Sequence, residues 1–163
     1  TGWYRAWLAY YIPNQCRSLM MDGVALALYV GNGKIGNWAI RKWTGSQESH
    51  CELVVDGLAY SSSIQDKGVR VKYIEWNPSH WKFIPIPWVS KESILKHYTE
   101  TKDNKYAFFS LLTSQILNRN VDDGNADFCS EWCARALGLP SPNTYSPNTL
   151  ASMVEFLNNF KRE

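Results

Sequence analysis

The most regular pattern in the chain is an alternation of polar and apolar positions on either side of an Asp-Gly pair. His50-Cys51-Glu52-Leu53-Val54-Val55 runs into Asp56-Gly57 and out through Leu58-Ala59-Tyr60-Ser61-Ser62-Ser63. Asp-Gly suits a two-residue type I′ turn, in which both central residues take positive φ. With that turn, Val55 faces Leu58, Glu52 faces Ser61 and His50 faces Ser63. Side chains alternate across a strand, so His50, Glu52, Ser61 and Ser63 share one face while Cys51 and Leu53 point into the core.

Other segments follow the same logic. Asp22-Gly23 makes a turn, and the apolar run 24–30 reads as a buried strand before the loop Gly31-Asn32-Gly33. Further strands are expected at 69–76 and 81–86, the second an edge or exit because it carries Pro85 and is followed by Pro87. Ile35, Trp38, Ala39 and Trp43 have helical spacing, with Gly45 closing that helix. Ser90 is an N-cap for a helix over 91–99. Residues 105–117 place Tyr106, Phe109, Leu112, Ile116 and Leu117 at helical spacing, and the polar loop 118–125 follows. A helix over 128–137 stops at Gly138 with Pro140 beyond it. Ser146-Pro147 opens a last helix to about residue 159. The aromatic segment 3–12, which is only weakly periodic, ends at Pro13-Asn14. Strands grouped before helices predict an α+β domain.

The chain has 163 residues, enough for one self-sufficient domain spanning 1–163. A net charge of +2, evenly spread, does not suggest a nucleic-acid partner. The longest apolar stretch is far too short to span a bilayer, and a monomer is expected. No signal peptide is visible, and four irregularly spaced cysteines fit reduced thiols, which favours cytoplasmic-type chemistry. Cys129, Cys133, His50 and Cys51 lack the spacings of closed zinc sites, so neither a metal nor another cofactor is expected.

Candidate chemistry centres on Cys129, at the start of a helix after the polar run 122–127. The positive end of a helix favours thiolate over thiol, which suits a nucleophile, and its N–H groups suit an oxyanion. His50 is the histidine set at a strand end among polar same-face neighbours, and Glu52 shares its face. From the residues alone, Cys129 as a packing residue, His50 as a solvated or capping residue, Glu52 as a solvent-facing strand residue and Tyr106 as a core aromatic remain open. Cys16, Cys51 and Cys133 read as small buried hydrophobes. Glu131 is expected to face solvent or brace a loop, and His80 and His97 to lie at the surface. Trp76, Trp81 and Trp88 flank a proline-rich stretch and are candidates for a substrate groove.

Two separated stretches carry a family resemblance. Leu28-Tyr29-Val30-Gly31-Asn32-Gly33-Lys34-Ile35, Trp43-Thr44-Gly45-Ser46 and Ser49-His50-Cys51-Glu52-Leu53-Val54 resemble the front half of YiiX-like proteins. These form the circularly permuted branch of the NlpC-type papain-like superfamily, which also includes lecithin:retinol acyltransferase-like enzymes. Phe128-Cys129-Ser130-Glu131-Trp132, with Ala134, Ala136 and Leu137-Gly138-Leu139, is similar to the family's "CSE" helix and its "ALGL" ending. The likeness covers about residues 20–140. In the permuted branch the histidine precedes the cysteine, as here.

The resemblance implies a small antiparallel sheet or partial barrel packed against helices. It implies Cys129 as nucleophile, His50 as general base and Glu52 as the orienting residue, with Ser61, Ser63 or Gln65 as alternatives for that third place. Cys51 stands where relatives carry an apolar residue. Tyr106, Ser61 and Ser63 are candidates for substrate contact. The activity implied is hydrolysis of an amide or peptide bond, of cell-wall peptide for example, in a bacterium or bacteriophage. A thiol acyltransferase or lipid esterase on the same scaffold, or a non-catalytic binding domain, are the alternatives.

Overall fold

The computed structural model describes residues 23–31, 50–63, 66, 68–74, 76–103 and 126–160, with the backbone alone for 126–128. The expected helices at 34–43 and 105–117, the segment 3–12 and the loop 118–125 lie outside these residues. So do Cys16, Gln65 and Tyr106.

Five strands form one antiparallel sheet: β1 (Val24–Tyr29), β2 (His50–Val55), β3 (Leu58–Ser63), β4 (Gly68–Tyr73) and β5 (Trp81–Pro85). Their spatial order is β4-β3-β2-β1-β5, which puts the proline-bearing β5 at an edge. Among the described residues three helices follow, α1 (Lys91–Thr101), α2 (Ala126–Ala136) and α3 (Pro147–Phe160), with a short 3-10 turn at Pro142–Thr144. The architecture is α+β, as the grouping of strands before helices predicts.

The hairpin forms in the expected register. Asp56 and Gly57 have φ of 50° and 80°, the backbone signature of a type I′ turn, and Val55 pairs with Leu58 and Leu53 with Tyr60. Strand alternation then sorts residues by size. In β1, Val24, Leu26 and Leu28 face one side and join Cys51, Leu53, Val55, Tyr60 and Ile84 in the main core. The helices supply the other wall of that core: α2 lies across β2 and β3, α3 across β1 and β5, and α1 beside β4 and α2. Each fully buried Leu contributes about 1.5–3 kcal/mol. The intervening residues, Ala25, Ala27 and Ala59, are small, and the space they leave on the opposite face is filled by Trp76, packed edge-on against Trp81 and Phe83.

Trp76 accounts for a difference from expectation. The predicted strand 69–76 ends at Tyr73, and the chain turns so that Trp76 covers the alanine face. It is only 2% exposed, so it is a core residue and not part of an open groove. Trp88 is half-buried, its indole N–H donating to Asn158 Oδ1 of α3 at 2.8 Å.

The helix boundaries follow local chemistry. Ser90 Oγ accepts from the Ser93 N–H. Ser146 Oγ likewise accepts from the Thr149 N–H at the start of α3, where Pro147 is the first residue. After α2, Gly138 adopts φ 68°, and the Gly138 and Leu139 N–H groups donate back to Arg135 and Ala134 carbonyls, a Schellman ending. Two surface expectations are corrected. Glu131 is buried and paired with Arg135 one turn along α2, because that turn faces other protein and not water. His97 is half-buried against the Trp132 ring.

Candidate active site

His50 opens β2, and Cys129 lies in the first turn of α2, which crosses β2 and β3. The helix starts at Ala126, two residues before the predicted start, so Cys129 sits at the end of the first turn and not on the first helical residues. Cys51 points toward the helices and meets α2 directly: its sulfur is 3.9 Å from that of Cys133. Cys129 is one helical turn before Cys133, on the same face of α2. Three cysteine sulfurs are therefore gathered between β2 and α2, all buried and unlinked by disulfides. No cluster of three or more His, Cys, Asp or Glu side chains among the described residues is arranged to hold a metal ion.

Alternation turns Glu52 to the sheet's other face. There its Oε1 lies 2.7 Å from His50 Nε2. His50, at the strand's first position, also hydrogen-bonds Cys129. The imidazole is thus held between a carboxylate and a thiol. Its side chain keeps 27% exposure, whereas that of Glu52 has 1%.

A buried carboxylate of this kind needs its charge compensated. Arg70 of β4 does so, with both terminal guanidinium nitrogens on the two Glu52 oxygens. Arg70 Nε also donates to Asp66 at 3.0 Å, and Lys72 pairs with the same Asp66. Arg70 reaches Glu52 across the whole width of β3. Ser61 is its direct partner in the β3–β4 register and lies between the two. A short side chain there leaves room for the guanidinium. The Ser61 hydroxyl turns down to donate to the Cys51 carbonyl at 2.9 Å. Ser61 is fully buried, so its place is beneath the Glu52–Arg70 pair. Ser63 ends β3 half-buried, opposite Gly68. Ser61→Leu would push Arg70 off Glu52. The expected result is a loss of stability of about 2–4 kcal/mol, measured by denaturant unfolding, against less than about 1 kcal/mol for Ser61→Ala retaining the ion pair.

The electrostatics follow from these contacts. Burial alone would raise the Cys129 thiol's pKa, but hydrogen bonds from the Cys51 thiol, the His50 charge and hydrogen bond, and the Cys51 backbone N–H outweigh it. The thiol falls well below its ordinary value. Burial alone would likewise discharge His50, but Cys129 and then Glu52 hold its pKa well above the usual imidazole value. Glu52 is lowered despite burial by His50 and Arg70. Cys51 moves the other way: burial and the neighbouring sulfurs keep it a neutral thiol. The directions of these shifts favour a charged sulfur and a charged imidazole beside the Glu52–Arg70 ion pair.

Compared with family models, curated proteins and solved structures, the chain matches none.

The structure brings together His50, Glu52 and Cys129 from the sequence reading and sets Ser61 beneath them. Glu52 is not the solvent-facing residue left open above. Arg70 was missed by that reading, although extending the hairpin register across one more strand places it in a row with Ser61 and Glu52. The four-residue link 64–67 obscures that register, since a one-residue slip moves Arg70 to the other face.

Proposed function

We propose that this protein is a cysteine hydrolase of amide or peptide bonds, built on a circularly permuted papain-like arrangement. The observation that carries this reading is the linkage of Glu52, His50 and Cys129, in which the cysteine's pKa is pushed down and the histidine's up. The order of a histidine strand before a cysteine helix, and the antiparallel sheet with α2 across β2, support it.

In this mechanism the Cys129 thiolate attacks the substrate carbonyl. The positive end of α2 favours the resulting oxyanion. The His50 imidazolium gives its proton to the departing amine, leaving a Cys129 thioester. Neutral His50 then takes a proton from water, which attacks the thioester; the acid is released and the thiolate–imidazolium pair returns. Glu52 keeps the ring oriented and stabilises its charged form, and Arg70 keeps Glu52 ionised. No described helix is long and apolar enough to cross a membrane.

The test is to incubate the protein with peptidoglycan peptides, isopeptide-linked conjugates and phospholipid vesicles in parallel, quench with acid and map acylated residues by mass spectrometry. An amine released from a peptide substrate with an acyl adduct on Cys129 is the expected result. Acylation from phospholipid alone would assign ester or lipid acyl transfer instead. Turnover unchanged by Cys129→Ala would end the thioester mechanism.

A further inference from the structure

The second thiol in the site, Cys51, takes no part in the steps above, yet it is fully buried against the nucleophile's helix. It occupies the strand position directly after His50, on the face of β2 that α2 covers. Its carbonyl is fixed by the Ser61 hydroxyl, and its backbone pairs with Leu28 of β1. These contacts leave the residue little freedom to move relative to α2.

Resting on the thioester reading, we propose that Cys51 is a positioning residue for the nucleophile: its thiol and its backbone N–H both donate to the Cys129 sulfur and hold the thiolate beside His50. A thiol is a weak donor toward a neutral acceptor, but donation to an anion is markedly stronger. The single Cys51 proton has two sulfur acceptors in reach, Cys133 and Cys129. The charged one is favoured, so ionisation of Cys129 draws the proton away from Cys133. An apolar residue at position 51 would fill the same space and leave the thiolate with His50 and a backbone N–H alone. A cysteine at this position thus supplies a donor that Val or Ile would not.

Among the described residues, the groups facing Cys129 are these. His50 and Cys51 come from β2, and Cys133 from α2 itself. Tyr60 on β3, His97 on α1 and Tyr145 beyond the 3-10 turn are other titratable side chains on elements packed against α2. Glu131 and Arg135 of α2 are paired with each other.

The experiment is the pH dependence of Cys129 alkylation by iodoacetamide, read at that residue by peptide mapping. Cys51→Val, which keeps the volume and suits a strand, should move the midpoint up by about one pH unit, a tenfold loss of thiolate at a fixed pH below it. Cys51→Ser keeps an O–H donor and should restore the wild-type midpoint to within a few tenths of a unit. Cys133→Ala, which removes only the competing sulfur, should leave it unchanged or slightly lower. If Cys51→Val and wild type share one low midpoint, Cys51 is a packing residue and the proposal fails, while the nucleophile stands. If wild-type Cys129 titrates as an ordinary thiol, the thioester reading fails with it. Should Cys51→Val not fold, the Cys51→Ser and Cys133→Ala profiles still decide: Cys51→Ser raised by a full unit in folded protein overturns donation by the side chain.

Discussion

Replacing Cys129 with Ala should reduce amide hydrolysis by at least about 10⁴-fold, and His50→Ala should come close to it, because groups that act as one unit fail together. The physical reason is the mutual dependence of their charges. Cys129 and Glu52 beside it push the His50 pKa up, and His50 in turn helps to push the Cys129 pKa down. In the proposed mechanism, removing His50 therefore removes the proton donor to the leaving group and also returns the sulfur toward an ordinary thiol. Alkylation of Cys129 at neutral pH should fall in His50→Ala, although the cysteine is still present. The pH profile of kcat/KM should be a broad bell. Its acid limb follows protonation of Cys129, whose pKa is depressed, and its alkaline limb follows loss of the His50 proton, whose pKa is raised. Stability carries the same signs. The His50 contribution is complete below the unfolded imidazole value of about 6.5 and is lost as pH rises through the raised folded value. The Cys129 contribution is complete above about 8.5 and is lost as pH falls through the depressed value. Steady-state kinetics of the two variants, with circular dichroism to establish folding, decide the matter. A Cys129→Ala variant with a tenth of wild-type turnover would remove this residue from the chemistry.

The parts of this site that were legible in the sequence are those fixed by short-range rules. Asp56-Gly57 dictates a turn type, the turn dictates the hairpin register, and alternation then puts His50 and Glu52 on one face and Cys51 on the other. The end of α2 was legible because Gly138 is suited to positive φ. Long-range placement was not readable in this way. That α2 lies across β2, and so brings Cys129 to His50 across 79 positions of sequence, came from the family resemblance and not from periodicity. Arg70 illustrates the same limit. An arginine alternating with Val69 and Val71 reads as an exposed strand residue, and only the packing of three adjacent strands shows that it closes over a buried carboxylate. Trp76 escaped for the converse reason: the strand-forming residues Val69, Val71, Tyr73 and Ile74 run on towards it, while the alanines that give it a seat lie on β1 and β3. Cys51 was read as packing because a thiol's volume is visible in a sequence and its hydrogen-bond partner is not.

Removing Arg70 should have the largest effect on stability. Glu52 is an almost fully buried anion, and Arg70→Ala leaves it with His50 as its remaining charged partner. Breaking a buried pair by deleting one side costs about 3–5 kcal/mol, since the surviving charge stays desolvated. The remaining contact with His50 places the expected loss near the low end, about 3 kcal/mol. For a chain of this length that is a fall in Tm of roughly 6–12 °C. Arg70→Lys should recover only part of it, because an ammonium cannot bond both Glu52 oxygens and Asp66 in the plane the guanidinium uses. The pH dependence separates this account from a simple packing loss. In the wild type the Glu52 pKa is depressed, so its contribution to stability is present above the unfolded value of about 4.3 and is lost as pH falls through the lower folded value. Without Arg70 the folded carboxyl pKa rises toward or past the unfolded one, and that contribution vanishes or reverses. The gap in Tm between wild type and Arg70→Ala should then be widest near neutral pH and should close in acid, where Glu52 is protonated in both. Glu52→Gln made alone and combined with Arg70→Ala completes a double-mutant cycle, and a coupling of at least about 1 kcal/mol is expected. A gap that stays constant down to pH 3, or a coupling near zero, would show that Arg70 acts through its aliphatic stem. The same cycle read by kcat links stability to catalysis: a Glu52 that has lost Arg70 is a weaker anion, His50 holds its proton less firmly, and the alkaline limb of the activity profile should move to lower pH.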